Sequence, residues 1–151
     1  MSNSNNEFLR HILATIAYRF QKSLRKYSSE FGDFSLGNGT RTTTEIVYHI
    51  FRVLNATKLY ILENNFKTDE PEELSLNLEI KRFNNELIEL DKVLVNTEID
   101  QNFAKRLLQG PFSDILTHIG QIAMMNRLNG NAIEGEDFSS APVTTGKLKY
   151  F

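Results

Sequence analysis

Apolar side chains recur along this chain at steps of three and four residues, the spacing that stacks them on one face of an α-helix. Leu9, Leu13, Ile16, Phe20, Leu24 and Tyr27 make the first such stripe and predict a helix over about residues 6–27. A second stripe, Ile46, Ile50, Val53, Thr57 and Ile61, follows Thr42 and Glu45. Those two residues have the spacing of a capping box, so the second helix is predicted to begin there. In the third segment Leu76, Ile80, Phe83, Leu87, Leu90 and Leu94 alternate steps of four and three without a miss. Pro71 suits the first turn of that helix, and Glu79, Lys81, Arg82, Glu86 and Glu89 are expected to fill its outer faces. The fourth segment is interrupted: "QNFAKRLLQ" reads as a short helix, and Gly110-Pro111 calls for a kink or a fresh start at Pro111. The helix then runs to about Asn129, where Gly130 is a good C-terminal stop.

The segments between these helices refine the architecture. "SSEFGDFSLGNGTR" is long and glycine-rich, which permits a crossover between the first two helices instead of a tight hairpin. From Asn131 to Phe151 no helical pattern remains, and an extended arm is expected, packed on the bundle or on a second subunit. The pattern therefore predicts an all-α four-helix bundle over about residues 6–130, with an irregular arm over 131–151, in one domain spanning 1–151.

Composition narrows the function. A length of 151 residues is that of one ordinary domain, able to bury a core without staples. The 40% hydrophobic and 24% charged content is near the globular average, which argues against disorder. There is no cysteine, so disulfides and thiolate metal sites are excluded. A net charge of -2 leaves no basic surplus to hold phosphate backbones, and nucleic acid is not an expected partner. The apolar runs are too short to span a bilayer, and "MSNSNNEF" lacks the basic start and apolar stretch of a signal peptide. A soluble cytoplasmic protein is expected.

The chain has three histidines, His11, His49 and His118. Asp114 lies four residues before His118, so the two share a helix face that continues through Gln121, Met125 and Leu128. His49 lies on the seam of the second helix, three residues after Ile46. A carboxylate and an imidazole one turn apart can reach a single ion, and a histidine from a facing helix would complete a set of two histidines and one carboxylate. Such a set leaves positions open and suits Zn²⁺, Ni²⁺ or Fe²⁺, with Gln121 placed to support the site from one turn further on. The alternative is a non-catalytic bundle that binds a small ligand or a partner, its polar trio a structural hydrogen-bond network. That reading expects Asp114 bonded directly to His118 or serving the positive end of its own helix, with His49 turned away. His11, on the flank of its stripe, reads as a partly exposed or structural histidine. Met124 and Met125 read as packing residues, and the glycines of "LGNGTR" as a turn, since no P-loop pattern follows. Neither G-x-S-x-G nor H-E-x-x-H occurs, so covalent serine or cysteine catalysis has no support.

Two stretches carry a resemblance. "GNGTRTTTEIVYHIF" resembles the part of DinB-like proteins where a small-residue turn opens the second helix and a histidine follows two turns in. "LTHIGQIAMMNRL" resembles their last-helix motif, His-x-Gly-Gln followed by an apolar helix. Across about residues 9–128 the resemblance implies a DinB-like four-helix bundle, often a homodimer, with a divalent metal held by three histidines. On that basis His49 matches the second-helix ligand and His118 the histidine of His-x-Gly-Gln, while Asp114 stands where the third histidine usually does. The resemblance implies a metal-dependent enzyme, with thiol S-transfer using a low-molecular-weight thiol as the reaction class.

Overall fold

The computed structural model describes residues 3–65 and 70–151. Long helices run α1 (Ser4–Ser23), α2 (Thr43–Glu63), α3 (Leu76–Asn96) and α5 (Ser113–Leu128), with a short α4 (Gln101–Leu107) leading into α5. There is no strand among the described residues. The chain is an all-α helical bundle, and α2 packs on α3, α3 on α1, α1 on α5, and α5 on α2. That ring puts α1 and α2 on one diagonal. The long connection between them therefore crosses the bundle end, as its length permits.

The core follows the predicted stripes. Leu9, Leu13, Ile16 and Phe20 from α1 meet Phe83, Leu87, Leu90 and Leu94 from α3, all fully buried. Phe20 and Phe83 lie with ring centroids 4.3 Å apart. On α2 the buried face is broader than its stripe: Val47, Phe51 and Leu54 are buried beside Ile46 and Ile50, while Val53 and Ile61 are only partly covered. This helix touches both α3 and α5, so it needs two adjacent apolar faces, not one.

Several expectations are corrected. The first helix ends at Ser23, about a turn earlier than its stripe. There the Ser23 hydroxyl donates to Phe20 O, and Asn126 Nδ2 on α5 donates to Ser23 O. Leu24 stays in the core from the turn that follows, and Lys26 takes a left-handed φ of 57°. Pro71 is not in the first turn of α3. It lies in an extended segment, its carbonyl accepting from Tyr48 Oη, and α3 starts after Ser75. Glu79 and Glu86 do not face solvent. Glu79 is fully buried, accepting from Arg82 and from Leu74 N, and Glu86 is buried against Lys58 and Asn55. A buried carboxylate is tolerated only when paired in this way.

At Pro111 the helix neither breaks nor restarts. Leu108–Phe112 forms a single π turn that runs straight into α5. Pro111 has no N–H for the carbonyl one turn back, and its ring would clash there, so the turn widens. Leu108 O is taken up by both the backbone N–H and the hydroxyl of Ser113. Gly130, at φ 93°, ends α5 as expected.

The capping box at the start of α2 is present: Thr42 Oγ1 accepts from Glu45 N at 3.2 Å, and Glu45 Oε1 reaches Thr42 N. Thr42→Ala should cost about 1 kcal/mol in urea unfolding. Ser75→Ala should cost far less, because the Ser75 hydroxyl bonds to Asn77 and makes no cap bond. Equal losses would mean that the Thr42 cap carries no particular weight.

The arm packs on its own chain. Gln21 Nε2 donates to Leu148 O and Gln21 Oε1 accepts from Tyr150 N, both at 2.8 Å. Tyr18 meets Phe138, Tyr150 and Phe151 edge-on or tilted, and Arg19 lies 3.9 Å over the Phe138 ring. Leu148 and Lys149 share a depression with Ile80, Asn84 and Ile88 of α3. The arm thus covers the groove between α1 and α3.

Candidate metal centre

The groove on the opposite side of the ring, between α2 and α5, holds His49, Asp114 and His118. His49 lies in the second turn of α2, on the edge of its buried face toward α5. Asp114 and His118 are one turn apart on α5, and the unbroken π turn sets their rotation toward α2. Each of the three offers a ligand atom, and all three atoms lie within 4.8 Å of one another.

Asp114 sits between the two rings. Its Oδ2 is 3.5 Å from His49 Nε2 and its Oδ1 is 3.5 Å from His118 Nε2. The imidazoles meet edge to face, centroids 4.8 Å apart. Around a four-coordinate ion with bonds of about 2.0–2.2 Å, neighbouring ligand atoms lie about 3.3–3.6 Å apart. The two histidine-to-carboxylate separations fall in that range, and a donor set of two imidazoles and one carboxylate is one that zinc and other first-row divalent ions accept.

Gln121 orients the His118 ring. The ring Nδ1 lies 2.8 Å from Gln121 Oε1. With Nδ1 engaged by Gln121, Nε2 is the nitrogen turned to Asp114. Nε2 and the Asp114 oxygen lie 3.5 Å apart, longer than an ordinary hydrogen bond and at the spacing of two ligands that share an ion. A metal-ligating histidine held by its other nitrogen is the usual pattern at such centres.

Burial is graded across the trio. The His118 side chain is 12% exposed, His49 31% and Asp114 47%, so the centre lies at the edge of the core and opens to solvent on the carboxylate side. The apolar face described for Asp114 and His118 reaches Met125, which is buried, but not Leu128, which is exposed. Asp114 also has no free helix end to serve, because the π turn precedes it without a break. The trio converges, and His49 is not turned away.

Beside the trio opens a cleft of about 470 Å³, with His118 and Gln121 on one wall and Arg41 on another. Arg41 was not singled out from sequence. The available signal was its place directly before the Thr42 cap, at the end of the glycine turn. Gly37, Asn38 and Gly39 in succession take left-handed φ values of 78°, 56° and 76°, and that tight reversal delivers Arg41 to the site. Met124 is an exposed residue of the cleft, not a packing residue, while Met125 is buried as expected. His11 lies apart, exposed on α1, with Nδ1 2.9 Å from Thr145 Oγ1 of the arm.

The His49 imidazole is pushed below the usual histidine range, first by burial, then by the positive charge of Arg41 and by His118; Asp114 opposes the shift. The ring is therefore neutral, as a ligand must be. In metal-free protein the sign is clear. The unfolded chain takes up a proton at His49 near pH 6.5 while the folded chain still resists it, so stability is lost as pH falls through 6.5 toward the lower folded value. Melting temperatures of metal-free protein should decline on acidification below about pH 6.5. His49→Gln should flatten that decline, and an unchanged profile in the variant would count against the assignment.

No family model matches the chain, and no curated protein or solved structure matches it significantly.

Proposed function

We propose that the protein is a divalent-metal-dependent enzyme built around His49, Asp114 and His118, of the DinB-like kind that its two motifs resemble. The single observation that carries the reading is the approach of His49 Nε2 and His118 Nε2, from facing helices, to the two oxygens of Asp114 at 3.5 Å each. A divalent ion there supplies Lewis acidity that brings a thiol or water nucleophile into play at neutral pH.

The chain's own residues have distinct parts. His49 and His118 would present ring nitrogens from facing helices. Asp114 offsets one of the metal's two charges, which three histidines would leave whole. Gln121 holds the His118 ring plane. The adjoining cleft gives a substrate access from one side. Thiol S-transfer is the reaction class suggested by the resemblance, with a low-molecular-weight thiol as co-substrate and a homodimer as the assembly. The convergence of all three groups beside an open cleft favours this over a hydrogen-bond network with His49 directed elsewhere. Among the described residues, no helix is long and apolar enough to cross a membrane.

Elemental analysis of the purified protein tests the proposal. One equivalent of Zn, Ni or Fe per chain is expected, and His49→Ala should lose most of it. Protein that stays metal-free after incubation with each ion, or a variant with unchanged content, would refute the assignment.

A further inference from the structure

The cleft beside the trio has a chemical bias of its own. Arg41 is its one lysine or arginine, and no aspartate or glutamate is among its lining residues. Arg41 makes no ion pair or hydrogen bond among the described residues, in contrast to Arg10, Arg52 and Arg82, each held by a carboxylate. Gln121 uses its Oε1 for His118, which leaves its amide N–H groups to donate. The polar groups of the cleft are thus weighted toward donors, with one net positive charge. The rest of its wall is largely apolar, from Leu36, Ile46, Met124 and Met125. Leu36 and Met124 are exposed at 48% and 62%, giving an accessible apolar lip. The volume, about 470 Å³, is that of a small-molecule site.

We propose that this cleft binds a small monocarboxylate with an apolar tail, its carboxylate held by Arg41 and its tail lying against Met124, Met125 and Leu36. A single guanidinium matches one carboxylate in charge and in its two-pronged geometry. A phosphate dianion would leave a negative charge without a partner. The flexible methionines suit a tail of variable shape. The assignment of this ligand as substrate rests on the metal-centre reading, because His118 is shared by the trio and the cleft wall.

The probe is hexanoate, titrated calorimetrically into both chelator-treated and zinc-loaded protein at neutral pH, with hexanamide and hexyl phosphate as comparisons. One hexanoate per chain is expected in both forms. Hexanamide and the Arg41→Gln variant should each weaken binding at least about tenfold, the loss of one charge-assisted contact. Arg41→Lys should recover part of it. Arg41 lies on an exposed loop, so these variants should fold normally. Hexanoate binding that is undetectable, that is indifferent to Arg41→Gln, or that is weaker than hexyl phosphate binding overturns the proposal. Zinc content is measured separately on the same samples. Protein that takes no zinc but binds hexanoate through Arg41 loses the metal reading and keeps the anion cleft. Protein that takes zinc but binds hexanoate regardless of Arg41 loses only the cleft assignment.

Discussion

Asp114→Asn should lower the affinity for zinc by more than about a hundredfold, while Asp114→His should bind zinc at least as tightly as the parent protein. Asparagine keeps the shape of the aspartate and removes its charge. A carboxamide is a far poorer ligand for a divalent transition ion than a carboxylate. Changing a residue that only supports a ligand typically costs 10–100-fold in metal affinity, so losing a ligand should exceed that. Histidine at this position restores the three-histidine set of the motif that the chain resembles, and the half-exposed side chain has room for the larger ring. His118→Ala belongs with Asp114→Asn, and Gln121→Ala should fall between them and the parent because it frees the His118 ring without removing a nitrogen. Competition against a chromogenic zinc chelator gives all of these values on one scale. Equal affinity in Asp114→Asn and parent protein would remove Asp114 from the ligand set and overturn the assignment of this trio.

Phe83→Ala should destabilise the fold by about 3–5 kcal/mol, the cost of removing a buried phenylalanine and leaving its cavity. Phe83 is fully buried and packs tilted against Phe20, ring centroids 4.3 Å apart, joining α3 to α1 in the core. For a chain of this length such a loss lowers the melting temperature by about 10 °C. Val95, on the same helix but 58% exposed, provides the control, and Val95→Ala should stay within about 0.5 kcal/mol. A Phe83→Ala cost below about 1 kcal/mol would show that the core collapses readily around the missing ring. The bundle would then owe its stability to contacts elsewhere.

The helices were legible because periodicity reports burial, and each long helix buries an apolar stripe, which on α2 widens to two adjacent faces. Most of the α3 stripe lies in the core, and the Thr42 cap marks its helix to the residue. What periodicity misses is polar burial. Glu79 and Glu86 look like surface residues in sequence, since their partners Arg82, Lys58 and Asn55 become neighbours only on folding. Pro111 was legible as an irregularity, but sequence does not say whether the chain meets it with a fresh helix start or by widening one turn. The trio itself was legible because Asp114 and His118 share a face and His49 sits on a seam. Arg41 was not, because its role depends on three left-handed residues that fold the loop back on the cleft.

The ring order of the helices carries one more consequence. The arm fills the groove between α1 and α3, and the candidate centre occupies the groove between α2 and α5, on the far side of the core. Residues well separated and without shared partners change stability nearly independently. The arm's aromatic clamp on Tyr18 and its hold on Gln21 can therefore be strengthened or weakened with little effect on His49, Asp114 and His118. The chain is built with an arm-covered face and a face that carries the candidate centre, and the two can drift separately. Substitutions at the candidate centre that cost stability can be compensated from the arm, which leaves that face free to vary without the fold being lost.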